Sequence, residues 1–146
     1  MSIKFVETKN LKTKPDVSKI GFGTHFTDYM FVMDYDKENG WHDARIVPHE
    51  KISIDPANAT LHYGQAIFEG LKAYRQGNKA VIFRAKDHLN RLNRSAQILD
   101  IPPLPFDVIH AGLLKLVDIE KDWIPKEKGQ SLYIRPFVFA TDEVLG

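Results

Sequence analysis

Three short stretches of this 146-residue sequence place charge-bearing or phenolic side chains at chemically useful spacings. The first is Tyr133-Ile134-Arg135. On a strand, side chains at i and i+2 stand on one face, so a phenol hydroxyl and a guanidinium would lie side by side. Such a pair can grip a carboxylate together. Phe137 and Phe139 fall on the same face by alternation. An apolar wall beside a polar pair suits an amino acid with a greasy side chain. Taken alone, the stretch is also readable as an ordinary strand whose arginine reaches to water.

The second stretch is Leu61-His62-Tyr63-Gly64-Gln65-Ala66-Ile67-Phe68-Glu69-Gly70-Leu71-Lys72-Ala73-Tyr74. If 68–75 is a strand, Phe68, Gly70, Lys72 and Tyr74 share a face, and the glycines allow a ligand or another backbone to come close. Its bland reading is a glycine-containing loop before a strand with one solvated lysine. The third is His88-Leu89-Asn90-Arg91-Leu92-Asn93-Arg94-Ser95-Ala96. Arg91 and Arg94 are three apart, hence neighbours on a helix. An arginine fork can hold a phosphate by two parallel hydrogen bonds, although charged helix faces are usually just solvated.

Composition removes several other classes. The net charge is +1, with 20 basic and 19 acidic residues, which argues against a broad nucleic-acid surface. With no cysteine there is no disulfide, thiolate metal site or thiol nucleophile. The six histidines show no zinc spacing, and no phosphate-binding glycine loop of the common types occurs. No apolar run approaches the ~18 residues of a membrane helix, and the first residues lack a signal-peptide core. The expectation is a soluble cytoplasmic protein without a metal, a nucleic-acid partner or a membrane partner.

The elements that must position these residues follow from patterning. Residues 1–20 are polar, carry five lysines and read as a loosely held extension. Tyr29 to Tyr35, a turn at Lys37-Glu38-Asn39-Gly40, and Ala44 to Val47 read as a hairpin. Residues 51–60 read as loop. Phe68 to Arg75, a turn at Gln76-Gly77-Asn78, and Ala80 to Arg84 form a second hairpin. Residues 86–99 set Leu89, Leu92, Ala96 and Leu99 on one helix face, with Asp87 favouring the helix N-terminus. Three prolines near 102–105 end that pattern. A second helix spans 106–120 with Ile109, Leu113, Leu116 and Val117 inward. A last strand covers 131–141, with Pro136 marking an edge or a bulge. This order predicts an α+β fold: a largely antiparallel sheet with two helices packed on one face.

Taken together, these stretches resemble the fold-type IV, pyridoxal-phosphate-dependent aminotransferases, and most closely the branched-chain amino acid aminotransferase family. Gly21-Phe22-Gly23-Thr24-His25-Phe26-Thr27-Asp28-Tyr29-Met30 is similar to its N-terminal signature. Leu61 to Tyr74, Phe83 to Ala96 and Ser131-Leu132-Tyr133-Ile134-Arg135-Pro136 are similar to three further blocks, in the same order. The resemblance covers roughly residues 20 to 146. It implies the N-terminal small domain over 21–146 and transfer of an amino group between leucine, isoleucine or valine and 2-oxoglutarate. It further implies that Arg91 holds the cofactor phosphate and that Tyr63 and Tyr133 help bind the carboxylate end. Arg135 would receive the second carboxylate of glutamate or 2-oxoglutarate, Phe22 and Phe68 would wall the apolar pocket, and Lys72 would lie near it. Arg91 and the Tyr133–Arg135 pair are then expected to converge on one cavity.

What the family's pattern places elsewhere matters equally. Its cofactor-anchoring lysine, the carboxylate facing the pyridine nitrogen and much of the phosphate cup come from a C-terminal domain. No lysine here matches that segment, so no catalytic residue is assigned and the chain alone is expected to be inactive and to bind pyridoxal phosphate weakly or not at all. The resemblance implies the chain's own C-terminal domain as a partner, and a homodimer. Kept beside this reading are a noncatalytic small-anion-binding α+β domain, and a related D-amino acid aminotransferase or aminodeoxychorismate lyase.

Overall fold

The computed structural model describes residues 2–145; Met1 and Gly146, the outermost residues of the expected extension and domain, lie outside them. The first hairpin is β2 (Tyr29–Asp36) and β3 (Gly40–Pro48), antiparallel, with a register shift between Val32 and Asp34. Gly40 takes a positive φ at the turn, and the Asp36 carboxylate accepts from the Glu38 and Asn39 backbone N–H groups. A short β1 (Lys4–Phe5) adds in parallel to β3. Beyond it the extension is exposed along most of its length and is held at separate points. The Tyr29 hydroxyl accepts from the Thr8 N–H, the Asp28 carboxylate from the Lys12 N–H, and the Val17 carbonyl from the Gln130 side chain.

Residues 51–60 are not wholly loop. A one-turn helix α1 (Ala59–Tyr63) starts there, capped by the Asn58 side chain at the Thr60 N–H and closed by Gly64 in the left-handed conformation. The buried Asn58 amide also donates to the Ala140 and Asp142 carbonyls, so this turn is tied to the far end of the chain.

The two expected strands around the second hairpin are each broken. Phe68 to Arg75 becomes β4 (Ala66–Phe68) and β5 (Leu71–Gln76), and 131–141 becomes β7 (Leu132–Ile134) and β8 (Phe137–Phe139). β4 pairs with β8, while β5 pairs with β7 and with β6 (Lys79–Ile82). All these pairings are antiparallel, so the fold is α+β with pairing divided among three small sheets rather than one. Both breaks fall at the same level: the Glu69 N–H donates to the Pro136 carbonyl at 2.8 Å, where Pro136 has no N–H of its own to offer.

Helices α2 (Ala85–Ile98) and α3 (Phe106–Ile119) cover one face of these strands. Leu71 and Ala73 pack against Leu89, Leu113 and Val117, and Ile67 packs against Leu92 and Ala96. Leu132, Ile134 and Val138 join from the last strands. The loop between α2 and α3 is closed by Asn93, its amide both donating to the Leu104 carbonyl and accepting from its N–H. α3 reaches the first hairpin as well, because Gly112 lets the Phe31 ring lie against the helix.

Candidate functional site

With the apolar residues of β4, β5 and β7 turned to the helices, the alternate residues face outward. Lys72 stands directly opposite Tyr133, and Phe68 directly opposite Phe137. The Arg135 guanidinium donates to the Tyr133 hydroxyl from Nη2 at 2.8 Å and from Nε at 3.1 Å. Its Cζ also lies over the Phe68 ring, 4.3 Å from the ring centre, a cation–π contact. Phe22 meets Tyr133 edge to face, with ring centres 5.0 Å apart. Five of the expected residues, Phe22, Phe68, Lys72, Tyr133 and Arg135, therefore share one outward face.

The chemistry of that face is specific. A phenol oxygen that accepts two N–H bonds keeps its own proton for an incoming acceptor. The guanidinium keeps further N–H groups beyond those two bonds, so an O–H and N–H donors together can bind a carboxylate, beside rings that suit an apolar chain. The face is open: Phe22 is 76% and Phe68 63% exposed. Two open hollows lie elsewhere, one of about 210 Å³ beside Pro15, Ile20 and Trp123 and one of about 580 Å³ between β6 and α3.

Gly70 makes room for this arrangement. A Cβ there would fall 2.3 Å from the Tyr133 hydroxyl oxygen. One residue earlier, Glu69 turns the other way, toward α2, and is 6% exposed. Its carboxylate accepts from Arg91 through Nε and, at 2.8 Å, through Nη2; from His88 Nδ1 at 2.9 Å; and from the Gly70 N–H. These donors, Arg91 foremost, pull the carboxyl to about 2, well below its ordinary 4.5, against the opposing effect of burial.

Arg91, through Glu69, and the Tyr133–Arg135 pair, through Gly70 and Phe68, both meet the 68–70 step. One edge of the Arg91 guanidinium, Nε with Nη2, is engaged by Glu69, while Nη1 makes no bond to it and the side chain is largely exposed. Arg84, to which the sequence pattern assigned no role, is differently placed. It is the N-cap of α2, in the left-handed conformation at φ 52°, and only its Nε is engaged, by Asp87 at 2.6 Å. Tyr63 ends α1, is 70% exposed, and has His62 as an aromatic neighbour.

No family model matches the chain. Individual relatives do. The sequence is 51% identical over 144 residues, 99% of this chain, to a probable branched-chain-amino-acid aminotransferase of Staphylococcus epidermidis. It is 52% identical over 141 residues, 96% of this chain, to branched-chain-amino-acid transaminase 1 of Bacillus subtilis. The chain belongs to the branched-chain aminotransferase family. It spans about 40% of the length of these two curated relatives. A crystal structure of the T.th. branched-chain amino acid aminotransferase, complexed with N-(5'-phosphopyridoxyl)-L-glutamate, is similar in fold. Its TM-score is 0.58 at 29% identity, covering 69% of this chain and 32% of that one.

Within this branched-chain aminotransferase segment, the residues that sequence reasoning passed over were not silent. Asn58 and Gly64 flank Ala59–Tyr63 as an N-cap and a C-terminal glycine should. Glu69 sits alone among apolar and small residues, a position where a carboxylate needs buried partners. Arg84 follows a strand and precedes a helix, where a helix N-terminus favours anions. Which partners they meet depends on pairings that no local pattern contains.

Proposed function

We propose that this chain supplies the substrate-recognition wall of a pyridoxal-phosphate-dependent aminotransferase. The proposed reaction exchanges an amino group between leucine, isoleucine or valine and 2-oxoglutarate. The observation that carries the reading is the Tyr133–Arg135 pair laid against Phe68 and Phe22, a carboxylate grip set into an aromatic surface. Arg135 and Tyr133 bind the distal carboxylate of 2-oxoglutarate or glutamate. Phe22 and Phe68 contact the branched side chain when an apolar amino acid takes the same place. Lys72, directly across from Tyr133, adds positive charge for either acid. The glutamate adduct in the structurally similar T.th. enzyme supports a site of this class.

Residues 21–146 make up the small domain in this proposal, and the lysine that anchors the cofactor comes from sequence beyond this chain. Bound pyridoxal phosphate supplies the electron sink and nitrogen carrier of amino transfer. The residues here fit its phosphate from one side only. Arg91 offers Nη1 and the second N–H of Nη2 beyond its pair with Glu69, and Arg84 offers terminal amino groups at the start of α2. Binding by this chain alone is accordingly weak. Tyr63 enters the pocket only on assembly, with the rest of the enzyme or with a second copy in a homodimer. No helix of the described residues is long and apolar enough to cross a membrane, and a cytoplasmic setting is proposed with the rest.

The test joins this chain to the remaining length of the Bacillus subtilis relative and assays both half-reactions. Leucine and 2-oxoglutarate should both be consumed. Arg135→Met should weaken 2-oxoglutarate use at least tenfold, on the order of the 1.4 kcal/mol or more that one carboxylate–guanidinium contact contributes, with leucine use changed far less. Equal losses for both substrates would refute the assignment of Arg135.

A further inference from the structure

Three consecutive residues at the β4–β5 break each touch the carboxylate grip or the residue next to it. Phe68 carries the Arg135 guanidinium on its ring. Glu69 donates its backbone N–H to the carbonyl of Pro136, the residue after Arg135. Gly70 lies under the Tyr133 hydroxyl. Strand pairing cannot hold this level of the structure, because β4–β8 ends at the Phe68–Phe137 pair and β5–β7 begins at Leu71–Ile134. What crosses the gap is the Glu69–Pro136 bond. What restrains Glu69 is its side chain, held on α2 by Arg91 and His88.

We infer that Glu69 is a positioning residue for the Tyr133–Arg135 grip, acting through the broken strand step that Arg91 and His88 clamp to α2. The inference deepens the proposed function and rests on it only for the identity of the ligand. A buried ion pair is a poor source of stability, since its desolvation offsets most of its attraction, and apolar side chains of similar volume often serve as well. Its advantage is direction: a bidentate fork fixes both oxygens of the carboxylate in a plane. That plane sets the backbone at 69, and through it the height of Phe68 and Gly70 beneath Arg135 and Tyr133. An apolar substitute would fill the space without fixing the orientation.

Nuclear magnetic resonance of the full chain tests this directly. The Arg135 Nε–H should give a shifted, slowly exchanging signal because it is bonded to the Tyr133 oxygen. In Glu69→Gln that signal should move toward the position of a solvated arginine, while the methyl signals of Ile67 and Leu92 stay in place. If Glu69→Gln does not fold, the double variant Glu69→Leu/Arg91→Leu replaces the ion pair by apolar packing and should show the same loss with the core retained. An unchanged Arg135 signal in whichever variant folds would overturn the inference. Glutarate and 4-methylvalerate titrations on the same samples separate the two readings. We expect the glutarate affinity to fall about tenfold relative to 4-methylvalerate. A wild-type chain that binds neither acid counts against the proposed substrates, while the Arg135 signal still decides the role of Glu69.

Discussion

A methyl group at position 70 would stand 2.3 Å from the Tyr133 oxygen, well inside contact distance. The phenol hydroxyl is the far end of a side chain, so it can swing away where backbone could not. Gly70→Ala should therefore cost less stability than the ~1–3 kcal/mol of overpacking a rigid core. It should nevertheless undo the bond between Tyr133 and Arg135. Calorimetric titration with glutarate is expected to show a drop to the level of Tyr133→Phe, with the thermal midpoint nearly unchanged. A large fall in midpoint with affinity retained would mean that the glycine serves packing alone. Arg135 depends on the same small space, because its guanidinium is fixed between that hydroxyl and the Phe68 ring.

Helix α3 joins the two halves of the chain, with strands β5 and β7 on one side and the β2–β3 hairpin on another. The joint to the hairpin runs through Gly112, where an added Cβ would meet three atoms of the Phe31 ring at 2.4, 2.7 and 2.9 Å. A ring met at three atoms has less room to give than the single Tyr133 hydroxyl tip. Gly112→Ala should lower unfolding free energy by about 1–3 kcal/mol, read as a lower urea midpoint. Within α2, Asn93 supplies both halves of a backbone pair with Leu104. Asn93→Ala leaves a donor and an acceptor of that loop unanswered and should cost a further ~1–3 kcal/mol. A midpoint within error of wild type would show that water replaces the amide freely.

Over the molecule as a whole, two buried glutamates give stability opposite dependences on pH. Glu69 is pulled down to about 2 by Arg91 and its other donors, so its contribution is present above 4.5 and is lost as pH falls toward 2. Glu120 accepts from the Tyr29 N–H at 2.5 Å, and burial, with Asp28 nearby, pushes it up to about 7. A folded state that keeps a proton the unfolded chain has released is favoured at low pH, so this contribution is complete below 4.5 and lost as pH rises through 7. Urea denaturation across the acid-to-neutral range should therefore show a maximum near 4.5 on the part of these two groups. Glu120→Gln should flatten the decline between 4.5 and 7 and leave the acid limb intact. A decline that persists in Glu120→Gln would assign it to other groups.

Much of this was legible in the chain itself. The helices at 85–98 and 106–119 follow from apolar residues recurring every three or four positions, and the hairpin turns at Gly40 and Gly77 from residues that tolerate positive φ. The outward set Phe68, Lys72, Tyr133, Arg135 and Phe137 follows from strand alternation, a property of neighbours two apart. The tertiary structure decided what alternation cannot reach. It broke each long strand at the 69–70 and 135–136 steps, because β4 and β5 pair with different stretches of the last strand. It turned Arg91 to Glu69, twenty-two residues away, and left Arg84 the freer of the two. Periodicity is written in adjacent residues, but the partner of a charge is chosen by which distant segments the core brings together.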